Sequence, residues 1–147
     1  MFVYKDGRFH LGKTSFALPK ECIVDTLPLV ESHNGFIIMP IDRSFRICVD
    51  FDMRGNEPYC GIKEDYASTE AVEEHLPFGV GWSIVMDYHK YCCRELCIPT
   101  HDEVLDEDGH LLNELDIHIF AENMERIEKA INSGIYKEFM NSIRLGG

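Results

Sequence analysis

This sequence calls for an α+β domain, an antiparallel β-sheet with helices packed on it in a sandwich. The clearest sign is Phe45 to Asp52, where Phe45, Ile47, Val49 and Phe51 alternate with Arg46, Cys48, Asp50 and Asp52. A strand turns successive side chains to opposite faces, so this period of two buries one face of a sheet. Near the end of the chain Leu115, Ile117, Ile119 and Ala121 alternate with Asp116, His118 and Phe120, and an amphipathic helical pattern follows at once. Asp6-Gly7 and Asp108-Gly109, dipeptides suited to tight reversals, join extended stretches and make the sheet antiparallel.

The elements follow in order. Strands are expected at residues 2–4, Arg8–Leu11 and Thr14–Leu18, with reversals at Asp6-Gly7 and Gly12-Lys13; Pro19 ends the third because it offers no N–H to a ladder. Cys22–Thr26 is a short extended piece. Residues 31–35 turn into Phe36–Met39, and Asp42-Arg43-Ser44 turns the chain again into the Phe45 strand. Residues 53–67 form a loop marked by Gly55-Asn56-Glu57-Pro58 and Gly61. Ser68 is placed to cap a short helix, Thr69–Leu76, which Pro77 stops, and Phe78–Gly81 is a connector. Trp82–Ile98 fits a hairpin turning at His89-Lys90 and also a helical stripe of Ile84, Val85, Tyr88, Cys92 and Leu96. Its aromatic and β-branched residues, and Pro99 directly after it, favour the hairpin. Thr100–Gly109 is an acidic connection. Asn123 caps the closing helix, whose apolar row is Met124, Ile127, Ala130 and Ile131. Asn132-Ser133-Gly134 interrupts it: Gly134 suits a left-handed helix end, and Ser133 suits the cap of a second row, Ile135, Phe139, Met140 and Ile143.

At 147 residues the chain is read as one domain, 1–147, large enough to bury a core. Its 14 basic and 26 acidic residues give a formal charge of -12, which argues against binding a nucleic-acid backbone. No apolar run approaches the roughly 20 residues of a membrane helix. With Met1 as the native start, no basic and apolar signal pattern precedes the domain, and a cytoplasmic protein is expected.

From Glu95 to Glu125 there are ten acidic residues, three histidines and no Lys or Arg. A solvated acidic face accounts for this. The sharper reading makes Asp102, Glu103, Asp106, Glu107 and Asp108 a docking surface for a basic protein partner, or a mimic of nucleic acid. Tyr59, Tyr66, Phe78 and Trp82, on the connections around the expected short helix, form a second contact surface if they are not simply core cover.

The six cysteines, Cys22, Cys48, Cys60, Cys92, Cys93 and Cys97, are expected to be reduced thiols in a cytoplasmic chain. Cys93, Cys97 and His101 are the candidate metal ligands, but their spacing is poor. On a strand the two thiols share a face yet stand roughly 13 Å apart, and on a helix Pro99 prevents the turn that would deliver His101. Neither a metal nor another cofactor is expected. Aligning Asp106, Asp108 and Gly109 on a calcium loop puts Val104 and Leu115 where carboxylates are required. Cys60 is the best-placed nucleophile, but no partner is identifiable for it, and Gly79-Val80-Gly81 lacks the rest of a phosphate loop. His10, His33, His75 and His118 read as surface or strand-face residues. No catalytic residue is assigned.

Ser15-Phe16-Ala17-Leu18-Pro19 followed by Ile23-Val24-Asp25, together with the ending Phe139-Met140-Asn141-Ser142-Ile143-Arg144-Leu145, resembles the Mog1/PsbP-like superfamily with its DcrB-type members. The resemblance covers the two ends of the chain. It implies a non-catalytic binding domain and carries over no catalytic residue. The expected function is therefore protein binding of an adaptor or chaperone-like kind, without enzymatic activity. An immunity or inhibitor protein acting on a basic toxin or nuclease is the alternative, and a thiol- or metal-dependent enzyme is the alternative from another class.

Overall fold

A computed structural model of the chain describes residues 3–26, 35–52 and 71–146, apart from the side chain of His101. Among the described residues the protein is an α+β sandwich, in which two C-terminal helices pack on a mostly antiparallel array of strands. Strands β1 (Val3–Lys5), β2 (Arg8–Leu11) and β3 (Thr14–Phe16) form a small sheet in that order. Asp6 and Gly7, at φ 55° and 75°, make the first reversal the mirror-image turn that matches strand twist. Gly12, at φ 61°, leads the second.

The main sheet has seven strands: β4 (Ile23–Thr26), β5 (Gly35–Met39), β6 (Phe45–Asp52), β7 (Val72–Leu76), β8 (Gly79–Asp87), β9 (Cys92–Leu105) and β10 (Leu111–Ala121). Their spatial order is β4-β5-β6-β10-β9-β8-β7, and every pairing is antiparallel. β10 is thus central, between β6 and β9.

One face of this sheet is the core. Ile47, Val49, Leu96, Ile98, Leu115, Ile117 and Ile119 are closed to solvent there, and helices α1 (Met124–Ile131) and α2 (Gly134–Ser142) cover them with Ile127, Ala130 and Phe139. Phe16 brings the small sheet into the same core, its ring 5.5 Å from Phe139 and 5.2 Å from Phe36. Ser15 and Arg144 exchange backbone hydrogen bonds at 2.8 Å, so the two ends of the chain lie side by side. Arg94, buried on this face, donates to Tyr136 Oη at 3.0 Å and pairs with Glu74 on β7.

Several expectations are corrected. Val72–Leu76 is a strand, not the end of a helix; it pairs with β8 across a tight turn at Pro77-Phe78, and Gly79–Gly81 is the start of β8 rather than a connector. The tie from Glu74 to Arg94 and Ser83 holds that strand in place, a long-range contact that outweighs local helix propensity. Residues 53–67 and the expected cap at Ser68 lie outside the described residues, as does most of the turn at 31–35. The Trp82–Ile98 hairpin is present, with His89 at φ 70° in its turn. Pro99 does not end it. β9 runs through Pro99 to Leu105, and the register to β10 shifts between Leu112 and Glu114, leaving Thr100–Glu103 as a bulge. A bulge is where a proline fits within a strand. Asn123 caps α1 as expected, its Oδ1 accepting from Arg126 N at 2.9 Å. Gly134 is not a left-handed helix end. It opens α2, which Ser133 caps through the N–H of Tyr136 at 3.2 Å.

Candidate functional site

The second face of the main sheet carries the chemistry. Register sets it out in rows across β6, β10, β9 and β8. Arg46, Phe120, Cys93 and Met86 form one row; Cys48, His118, Glu95 and Ile84 the next; then Asp50, Asp116, Cys97 and Trp82; and finally Asp52, Glu114 and Pro99. A period of two put these residues opposite the aliphatic core, and read alone it makes them a solvated face. The structure closes the middle of that face, on β9 and β10. Cys93, Cys97, Glu114 and Asp116 are all under one-tenth exposed, and His118 is half-buried with Nε2 fully shielded.

At the acidic end, one ligand atom each from Cys97, Asp116 and His118 lie within 4.8 Å of one another, and Asp52, Glu114 and Asp116 form a second such group. The three residues of the first group come together because Asp116 and Cys97 are cross-strand partners while His118 lies two positions along the same face of β10. Burial, reinforced by the neighbouring Glu114, raises the Asp116 carboxyl well above the usual carboxylate range. Burial also lowers His118 to about 4, raises Cys48 to about 11 and drives Cys93 up further, so these thiols are protonated and the imidazole neutral at pH 7. Asp116 Oδ1 and His118 Nε2 have no hydrogen-bond partner among the described residues.

At the basic end, a cleft of about 510 Å³ opens between the β5–β6 turn, the end of β10 and the start of α1. Ile37, Tyr91 and Phe120 give it an apolar lining, and Arg43, Arg46 and Arg126 supply guanidinium groups from three separate elements. Arg126 also pairs with Glu122 at 3.0 Å, a half-exposed contact of little energetic weight. Arg43 is held in the left-handed region at φ 58°, uncommon for a long side chain, with its N–H on Pro40 O. A larger cleft of about 800 Å³ lies beside the helix junction, but there Glu21, Asp42 and Glu138 face a single Lys20.

The residues singled out from the sequence fall differently. Asp102 is not on a docking surface. It sits in the bulge of β9, 5 % exposed, accepting the Lys13 N–H at 2.7 Å and the Thr14 hydroxyl, while Thr14 Oγ1 accepts from Gly146 N at 3.0 Å. Glu103, Glu107 and Asp108 are exposed along the β9–β10 ribbon. Asp106 spends its carboxylate on the turn, accepting from the N–H groups of Asp108 and His110, and those bonds lower its pKa. Phe78 is half-buried against the main core, and Trp82 packs on Ile84, Met86 and Cys97; neither is a free aromatic anchor. Tyr59, Tyr66 and Cys60 lie outside the described residues, as does the side chain of His101. Cys93 and Cys97 do share a face, four residues apart, but the partners brought to Cys97 are Asp116 and His118. The five cysteines described are thiols rather than disulfides. No helix among the described residues is long and apolar enough to cross a membrane.

No family model matches the chain, and no curated protein matches it.

Proposed function

We propose that the protein is a non-enzymatic binding domain, and that its ligand is a small amphipathic anion, a carboxylate or phosphate on an aromatic or aliphatic body, seated in the cleft of Arg43, Arg46 and Arg126. The observation that carries this reading is a cleft lined by three arginines, one acidic residue (Glu122) and the rings of Tyr91 and Phe120, in a chain of formal charge -12. Guanidinium forks suit carboxylate and phosphate oxygens, and Tyr91 and Phe120 offer an apolar wall for the rest of such a ligand. The cleft lies at the N-terminal end of α1, whose dipole adds to the attraction for an anion. The resemblance to non-catalytic binding domains points the same way.

Binding of a basic protein is the second reading. It is favoured by the β9–β10 ribbon, where Leu105 and Leu111 are paired across strands and exposed beside Glu107 and Asp108. One titration series separates the two. Decanoate and phenyl phosphate are titrated into the protein by calorimetry, with decanol and phenol as neutral controls. The expected result is binding of the anions alone, weakened about tenfold or more by Arg46→Glu or Arg43→Gly, since a hydrogen bond to a charged group contributes about 1.5–3 kcal/mol. Arg43→Gly suits the backbone at φ 58° and tests the side chain without straining the fold. Equal affinity for anions and neutral controls, or no effect of either variant, overturns the reading. Capture of a basic protein that Glu107→Lys with Asp108→Lys abolishes would favour the second.

A further inference from the structure

A buried acidic and thiol cluster in the middle of a sheet requires compensation. Asp116 is 7 % exposed, Glu114 4 % and Cys97 5 %. An ionised carboxylate in such a place is tolerated when a cation or a set of donors balances it. The buried Arg94 is on the opposite face, engaged by Glu74 and Tyr136. Glu114 and the Cys97 thiol hydrogen-bond to Asp116, yet among the described residues its Oδ1 has no partner, and neither has the shielded Nε2 of His118. Each polar atom left in that state costs about 1–3 kcal/mol. Two of them in one cluster indicate that something is meant to fill it.

We infer that Cys97, Asp116 and His118 form a binding site for one zinc ion. The donor set is one sulfur, one carboxylate oxygen and one imidazole nitrogen, the mixture that borderline ions of the zinc type take from proteins. Zinc ligands at about 2.0–2.3 Å from the metal lie some 3.3–3.8 Å from each other, so a group already within 4.8 Å closes by small rotamer adjustments. The frame is rigid, because the three residues sit on the two central strands of the sheet, as adjacent partners and as residues i and i+2 on one face. The fourth position falls to Glu114, which joins Asp116 in the second group, or to solvent. Asp52 and Glu114, oxygen donors only, supply negative charge around the ion. Each ligand binds in its deprotonated form, so any proton on the thiol or the carboxyl leaves to solvent, and no bond to carbon or change of oxidation state is involved.

The site is independent of the arginine cleft, and its test does not use the anion probes. The full chain is stripped with a chelator, and Zn²⁺ and then Co²⁺ are titrated in; Co²⁺ reports sulfur ligation by a thiolate-to-metal charge-transfer absorption. The expected result is one Zn²⁺ per chain, a higher melting temperature with metal, and a Co²⁺–thiolate absorption in the wild type that Cys93→Ser keeps and Cys97→Ser loses. His118→Gln and Asp116→Asn should weaken Zn²⁺ by about tenfold or more, because each removes one of three ligands. Should a variant fail to fold when stripped of metal, the wild-type cobalt spectrum alone still decides. Absence of the charge-transfer absorption in the wild type, or its survival in Cys97→Ser, overturns the assignment.

Discussion

Replacing Asp102 separates a structural carboxylate from a docking one. Asp102→Ala removes the acceptor for the Lys13 N–H and the Thr14 hydroxyl in a site where the Thr14 side chain is closed to solvent. The buried Thr14 donor left without its partner costs about 1–3 kcal/mol and the part-buried Lys13 N–H about 1–2 kcal/mol, together about 2–5 kcal/mol. For a chain of 147 residues each kcal/mol is worth about 2–4 °C in melting temperature, and the expected fall is roughly 5–20 °C. Asp102→Asn keeps one carbonyl oxygen and should lose about half as much. The neighbouring Glu103 is exposed, and Glu103→Ala should stay within about 0.5 kcal/mol of wild type. Urea and thermal unfolding measure all three. The damage has no cheap repair, because a Cβ at Gly12 would lie 2.7 Å from Asp102 Oδ1 and one at Gly146 2.5 Å from it, so the site is filled from both sides. If Asp102→Ala melts with the wild type, Asp102 is a surface residue and the stapling of the small sheet through the bulge is wrong.

Two further outcomes concern the core and the second face. Phe139→Ala empties a fully buried site against Phe16 and should cost about 3–5 kcal/mol in urea unfolding; a loss under 1 kcal/mol would mean that α2 does not close the core as described. In chelator-treated protein, burial holds His118 at about 4 against 6.5 for an ordinary histidine. Below pH 6.5 the unfolded chain therefore takes up a proton that the folded one refuses, and stability falls as pH drops to about 4, by about 3 kcal/mol in all, then levels off. Asp116 has the opposite sign: its raised value contributes stability below its ordinary pKa that is lost as pH rises through the folded one. Urea midpoints across pH 4–7 should lose about one proton of acid-side slope in His118→Gln; unchanged slopes would place the imidazole in water.

Composition and periodicity determined much of this protein before any coordinates. The Phe45–Asp52 strand, the Asp6-Gly7 reversal, the Trp82–Ile98 hairpin, the Asn123 cap and the helices after β10 are local, set by side-chain alternation, turn chemistry and capping over a few residues. Where distant contacts compete with local preference, sequence reading failed. Val72–Leu76 looks helical and is a strand because β8 and Arg94 hold it there, and Asp102 looks solvated and is buried because the β9 bulge turns it toward Thr14. The candidate site was illegible for the same reason. Cys97 and His101 are near in the chain, whereas Cys97, Asp116 and His118 are brought together by the β9–β10 register, which no spacing along one strand encodes. Alternation in β10 separated Asp116 and His118 from the aliphatic core; only the tertiary structure decided that Asp116, Glu114 and Cys97 on the polar face would be buried too.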